Sequence, residues 1–270
     1  MFDKNKKIKD FGTFEKEPTF AFLWNKCVYE LLYNPSKYTE QFCNLLSNYG
    51  VNKESTILDV CAGSGFPTMD MYRLGYKNIT CVDGYDEQID FFNKRAEQQG
   101  LGIRSSKCSF NEVSEKFKDQ KFKALVCRGG IWYSAGGYHE NILPERESSL
   151  RGIKETLVKF YDLLETGGVL YVDKFRDSEV DHEDVVGTFS VGTDSKEMVF
   201  NTHRDRELSI RYAQMKIRDI KTKKDSWIPN VTYDLKESEL GQLLEGVGFT
   251  VVRSDLSEEK FFAVWIAIKK

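Results

Sequence analysis

A chain of 270 residues with 40% hydrophobic and 30% charged content can bury a sizeable core, as one large domain or as a domain with an insertion. Its net charge of −3 argues against wholesale nucleic-acid binding, which needs a concentrated basic face, and the basic run over residues 4–9 reads as a solvated tail. No apolar run approaches the roughly 20 residues of a membrane span. Six cysteines without a Cys-x-x-Cys pair, and no expected secretory leader, read as reduced thiols of a cytoplasmic chain with no zinc site.

In chain order, residues 1–18 read as charged and irregular, punctuated by Gly12 and Pro18. Phe20, Leu23, Trp24, Cys27, Val28 and Leu31 recur at helical spacing over 20–32, and Asn34-Pro35-Ser36 breaks the pattern. A second helix over 37–49 carries Tyr38, Phe42, Leu45 and Leu46 on one face, and Gly50 ends it. The aromatics of this helix pair read either as core or as a lid on a binding site.

A short β-type run, Ile57-Leu58-Asp59-Val60, breaks into Cys61-Ala62-Gly63-Ser64-Gly65, and the sequence resumes as helix after Pro67. Strand, tight glycine turn and helix start let backbone approach a bound nucleotide. A second strand over 79–82 ends in Asp83, eighteen residues past Gly65, where an acid is placed to accept hydrogen bonds from the two hydroxyls of a ribose. A dinucleotide site would carry a third glycine to bring its helix beneath a pyrophosphate; Phe66-Pro67-Thr68-Met69 lacks it. The paired signal therefore points to a different nucleoside-containing cofactor.

Gly75 closes the first helix, Asp86 is the expected N-cap of the next, and Gly100 ends that one. A short strand near 103–108 leads to Ser109 and Phe110, where a hydroxyl and a ring could meet an adenine; Phe110 could equally be core. The strand over 122–127 ends in Arg128-Gly129-Gly130, and open α/β sheets bind ligands at such carboxyl ends. The connector beyond it holds Trp132, Tyr133, Tyr138 and His139, longer and more aromatic than a plain strand-to-helix link, and reads as a pocket wall or a small secondary core.

A helix over 145–164, a Gly167-Gly168 turn and a buried strand over 169–173 come next, with Arg176 at that strand's carboxyl end. From 189 to 227 the periodicity changes to alternation, read as an antiparallel insertion of about three strands over the site. A helix over 238–244 and two last strands, to 253 and over 261–268, return to the α/β pattern. Asp181, Glu183 and Asp184 are acidic, but successive neighbours cannot all point at one ion, so no metal site is expected.

The string from Ile57 to Gly65 with Asp59 resembles motif I of class I S-adenosylmethionine-dependent methyltransferases, and Asp83 resembles their ribose-binding acid. Trp24, Tyr38, Gly129 and the Gly167-Gly168 turn fall in an order similar to the glycine and glycine/sarcosine N-methyltransferase group, and Gly246-Val247-Gly248-Phe249 resembles a C-terminal element of the superfamily. The resemblance implies an α/β fold: a doubly wound, mostly parallel seven-stranded sheet with an antiparallel C-terminal strand, a small antiparallel β insertion and an N-terminal helical lid. The implied units are a cap over 1–50, a cofactor-binding core over 51–177, an insertion over 178–232 and the rest of the core over 233–270. It implies S-adenosylmethionine as cofactor, held by Trp24, Asp59, Gly63, Gly65, Asp83, Ser109, Phe110, Arg128 and Gly129. Two departures stand out: Gly129-Gly130-Ile131 lacks the subgroup's asparagine, and its carboxylate-binding arginine aligns with Phe175, leaving Arg176 nearest.

Methyl transfer to an amine is an in-line displacement in which positioning can supply up to about 7–11 kcal/mol, so a neutral amine needs no strong base. Arg176, Tyr133 and His139 form the expected catalytic set; Arg176 is the anionic handle, Arg128 its alternative, or else a salt-bridge partner on the rim. Trp132, Tyr138 and Arg128 would line the acceptor pocket. The expected partner is a small-molecule methyl acceptor, neither nucleic acid nor membrane, and a homo-oligomer is left open. Competing classes are a small-molecule O-methyltransferase, a tRNA or protein methyltransferase, an oxidoreductase on the same fold and a non-catalytic nucleotide-binding module.

Overall fold

The computed structural model describes residues 8–131, 145–177, 181–259 and 261–270. The chain opens with strand β1 (Lys9–Phe14), helix α1 (Phe20–Cys27) continued by a π-helical turn (Val28–Leu32), and helix α2 (Pro35–Ser47). Thr19 and Asn34 cap the two α-helices through their side-chain oxygens, and Pro35 starts α2 where its missing N–H costs nothing. The single helix expected over 20–32 is therefore α-helix followed by a wider turn.

Seven strands alternate with helices in the body of the chain. They are β2 (Ile57–Asp59), β3 (Ile79–Asp83), β4 (Ser105–Lys107), β5 (Phe122–Cys127), β6 (Leu164–Phe175), and, near the end, β11 (Phe249–Ser254) and β12 (Phe262–Lys269). Their order in the sheet is β4-β3-β2-β5-β6-β12-β11. Only β12 runs against its neighbours; the other pairs are parallel. The intervening helices are α3 (Thr68–Arg73), α4 (Asp86–Gln98), α5 (Val113–Lys116), α6 (Arg146–Leu163) and α7 (Glu237–Val247). Asp86 is the first residue of α4, whose cap position is Tyr85, and it pairs with Lys107 instead of capping.

The apolar runs of β5 and β6 carry no polar alternation because both faces are covered. Ala124, Val126, Val169 and Tyr171 join one core with Leu23, Tyr38, Phe42 and Leu46 of the N-terminal helices. Their sequence neighbours Leu125, Cys127, Leu170 and Val172 join another with Ile153, Leu157 and Phe160 of α6 and Leu240 and Leu244 of α7. Tyr38 and Phe42 thus pack in the core of the sheet.

The second sheet has five strands, two more than expected. β7 (His182–Val191), β8 (Asp194–Asp205), β9 (Ile210–Asp219) and β10 (Asp225–Tyr233) form an antiparallel meander, and β1 pairs in parallel with β7. Residues 9–14, expected to be irregular, are a strand because Lys9 pairs with Gly187 and the Phe11 ring packs on the bare face of that glycine. Phe189, Met198 and Met215 of this sheet bury against the N-terminal helices in the first core. No helix among the described residues is long and apolar enough to cross a membrane.

Candidate functional site

The order of the large sheet reverses between β2 and β5, and ligands of open α/β sheets sit outside the carboxyl ends at such a point. The turn that leaves β2 is held by backbone bonds: Ala62 N–H donates to Val82 at 3.1 Å, Gly65 N–H to Ala62 at 2.9 Å, and Met69 N–H back to Gly65 at 2.8 Å. Gly65 has a φ of +99°, and a Cβ there would lie 2.8 Å from the Met69 side chain, so the turn admits no larger residue without rearrangement.

Asp59 braces this turn from beneath. One carboxylate oxygen accepts from the Thr68 hydroxyl and the other from Cys61 N–H at 3.2 Å. Burial pushes its carboxyl up to about 6, against the pull of those hydrogen bonds. Asp83 crosses from β3 to the glycine turn: its oxygens accept from Gly63 N–H at 2.8 Å and Tyr85 N–H at 2.9 Å. Burial raises its carboxyl as well, and these amides oppose the rise. Above this bridge the backbone is bare. Cβ atoms added at Gly63 and Gly84 would meet, respectively, only the Cys61 carbonyl at 3.9 Å and nothing within 4 Å.

Helix α1 lies over the turn. Asn25 donates to Ser64 Oγ at 3.3 Å, Ala21 N–H donates to Glu87 at the start of α4 at 2.6 Å, and Arg95 donates to the Ser64 carbonyl at 3.1 Å while covering the Tyr29 ring. Ser64 lies inside the glycine run read from the sequence, but Asn25, Glu87 and Arg95 did not stand out there, where they are ordinary helix polar residues; a contact between segments far apart in the chain leaves no local signal. Trp24 is half-buried against Phe200 of β8, with ring centroids 5.7 Å apart.

At the next strand tip, Gly129 N–H donates to Asp173 at 2.5 Å, and Tyr171 donates to the same carboxylate at 3.2 Å. Burial pushes the Asp173 carboxyl up to about 7, partly offset by the charge of Arg128. Gly130 must be glycine, because a Cβ would sit 2.5 Å from Cys61 Sγ and 2.9 Å from Cys61 Cβ. Arg128 lies largely buried beside Phe66, the residue that follows the glycine turn. It donates to Tyr38 Oη at 2.8 Å and to Glu259 at 3.1 Å, and lies among the rings of Tyr33, Tyr38, Phe66 and Phe262. Glu259, fully buried in the β11–β12 loop, also accepts from the hydroxyls of Tyr33 and Tyr38 and from the backbone of Phe261 and Phe262. The salt-bridge alternative for Arg128 is the arrangement seen.

Arg176, the expected handle, donates to the Glu259 carbonyl at 3.1 Å and approaches Asp255 at 3.4 Å, while keeping about a third of its side chain exposed. Ser109 is committed to Glu112, which accepts from both its hydroxyl and its N–H. Phe110 meets Phe160 edge-on with centroids 5.7 Å apart, on the core of α6. Trp132, Tyr133, Tyr138 and His139 lie outside the described residues.

The crevice fits a ribose-bearing cofactor. It has a fixed carboxylate at the tip of the second core strand, bare glycine backbone beside it and a helix across the mouth. Residues 57–151 match a family described as a methyltransferase domain. Over 216 residues, 73% of this chain, it is 22% identical to a sterol 24-C-methyltransferase of Neurospora crassa, and it spans about half (52%) of that relative's length. A solved S-adenosylmethionine-dependent methyltransferase from Clostridium acetobutylicum superposes with a TM-score of 0.62 at 16% identity, covering 92% of this chain and 96% of that one. An amino pentose methyltransferase from Micromonospora echinaspora, solved with S-adenosylmethionine bound, gives 0.65 at 11% identity over 94% and 100% of the two chains. A sugar N-methyltransferase from Streptoalloteichus sp. gives 0.64 at 12% identity over 100% and 99%. At these identities the structural likeness is one of fold. The match over residues 57–151, which takes in the glycine turn and both core-strand tips, is to a methyltransferase domain, and the solved methyltransferases share the fold around it.

Proposed function

We propose that this chain transfers a methyl group from S-adenosylmethionine to a small-molecule acceptor, an amine or amino-acid nitrogen of the glycine or sarcosine kind. The observation that carries the reading is the Asp83 bridge. A buried carboxylate held by the amides of Gly63 and Tyr85 keeps its orientation, so its remaining lone pairs are preset for two hydroxyls on one ribose. When bound, the cofactor supplies an activated methyl group on sulfur.

The chain's own residues supply position. Gly63 and Gly84 leave backbone open to close approach, and Asp59 with Thr68 keeps the turn from moving. Asn25 and Arg95 fasten α1 and α4 over Ser64, which keeps water from one side of the crevice. Gly129, with its amide on Asp173, sets the β5 tip beside it, where the acceptor would enter. The sequence-based assignments of Trp132 and Tyr138 to the acceptor pocket, of Tyr133 and His139 to the catalytic set, and of Arg176 to an anionic group on the acceptor belong to the same reading. The relatives include sugar N- and sterol C-methyltransferases, so the fold by itself does not select the acceptor.

The test is calorimetric. Asp83→Ala should weaken S-adenosylhomocysteine binding by at least about 100-fold, whereas Arg176→Ala should leave it intact. Equal affinity for wild type and Asp83→Ala would defeat the assignment. A mass-shift screen of amines and amino acids with the cofactor then identifies the acceptor.

A further inference from the structure

Arg204 of β8 and Arg211 of β9 are Cα partners in the ladder, directly opposite each other, and both are more than nine-tenths buried. Like charges in that relation repel. Arg204 is partly satisfied: Nε donates to Asp234 at 3.2 Å and Nη2 to the Arg176 carbonyl at 3.2 Å, but its buried Nη1 has no partner. Arg211 has no hydrogen-bond or ion-pair partner among the described residues, and its buried Nε is unsatisfied. Its guanidinium lies 4.0 Å from the centre of the Phe175 ring.

The surrounding carboxylates are already used. Asp177 accepts from Lys174 and from Glu237 N–H, and Asp234 from Arg204 and Lys236. Four cationic side chains, Lys174, Arg204, Arg211 and Lys236, thus face three carboxylates, Asp177, Asp234 and Glu237, the last of them also paired with Arg253. Burial and the neighbouring Arg204 push Arg211 down to about 9, the direction expected of a cation short of counter-charge. The cluster adjoins the proposed acceptor entrance. Phe175 stacks on Phe262 at 4.8 Å, and Phe262 lies 3.7 Å from where a Cβ of Gly129 would be.

We infer that Arg204 and Arg211 form an oxyanion subsite that takes a carboxylate carried by the methyl acceptor. With one face of Arg211 against Phe175, its in-plane donors remain for the anion, and a planar carboxylate matches that fork in two parallel hydrogen bonds. Arg204 Nη1 adds a third donor from the facing strand. The inference rests on the proposed methyltransferase function, and it moves the anionic handle from Arg176 to the paired arginines of the second sheet.

The test titrates wild type, Arg211→Gln and Arg211→Lys by calorimetry, with and without saturating S-adenosylhomocysteine. The probes are a panel of α-amino acids, the matching amino-acid amides and inorganic phosphate. At least one free acid should bind wild type saturably and at least 30-fold tighter than its amide. Arg211→Gln should weaken that acid at least 10-fold without changing the amide, Arg211→Lys should fall between, and S-adenosylhomocysteine affinity should stay constant throughout, which also shows that the variants are folded. Acids and amides binding alike, Arg211→Gln binding the acid as wild type does, or phosphate binding as tightly as any acid overturns the carboxylate subsite. Failure of wild type to bind S-adenosylhomocysteine strikes the cofactor reading instead, and the acid–amide contrast in its absence then decides the subsite alone.

Discussion

Arg128 on the rim of the large sheet and Arg211 in the small one are both buried, and both lie against aromatic rings. They differ in what faces the charge. Arg128 meets the carboxylate of Glu259 and the Tyr38 hydroxyl, and its pKa is raised well above the ordinary value because desolvation, which lowers it, is outweighed by Tyr38, Tyr33, Glu259 and Asp173 together. Arg211 meets a ring face and another arginine, and burial with that arginine lowers its pKa against the more distant pull of Asp234 and Asp177. A buried cation with a complete set of partners belongs to the architecture; a buried cation without one has donors left for a ligand. The contrast separates a rim built to hold shape from a strand face whose polar groups are unfinished.

The largest effect that bears on this contrast is on stability. Glu259→Ala leaves Arg128 buried with its charge uncompensated and should cost about 3–5 kcal/mol in urea unfolding. The counterpart, Arg211→Met, removes a buried charge that has no carboxylate partner, and should leave stability unchanged or raise it by about 1 kcal/mol or more. A loss at Arg211→Met as large as at Glu259→Ala would erase the distinction. Next, Gly65→Ala should cost about 1–3 kcal/mol in the same unfolding measurement, because its Cβ would crowd Met69 and its backbone is left-handed. A neutral Gly65→Ala would mean that the rim tolerates a side chain where its backbone turns.

The smallest effect is a pH slope. Asp173 holds its proton more tightly in the native chain, up to about 7, than its ordinary 3.8. The folded state binds the extra proton between those values, so this group's contribution is greatest at low pH and is lost as pH rises from about 4 to about 7. Asp173→Asn cannot titrate and should flatten that part of the profile of urea midpoint against pH. An unchanged slope would place the titration elsewhere.

The glycine turn, the Asp83 strand end and the β5 tip were legible in the sequence because each is a local event. A strand, a left-handed backbone position and a helix start lie within a short stretch of chain, and Asp83 comes at a fixed distance beyond. The apolar runs of β5 and β6 likewise announced buried strands. Pairing across the chain was not legible. β1 is a strand only because Phe11 meets Gly187, Arg128 is a structural cation only because Glu259 returns beside it from 131 residues on, and Asn25 reaches Ser64 only once α1 lies over the turn. Arg204 and Arg211 read in the sequence as two polar residues of a β meander. It is the β8–β9 register that sets them face to face, because opposition across a ladder is fixed by hydrogen-bond pairing between strands and not by either strand's own residues.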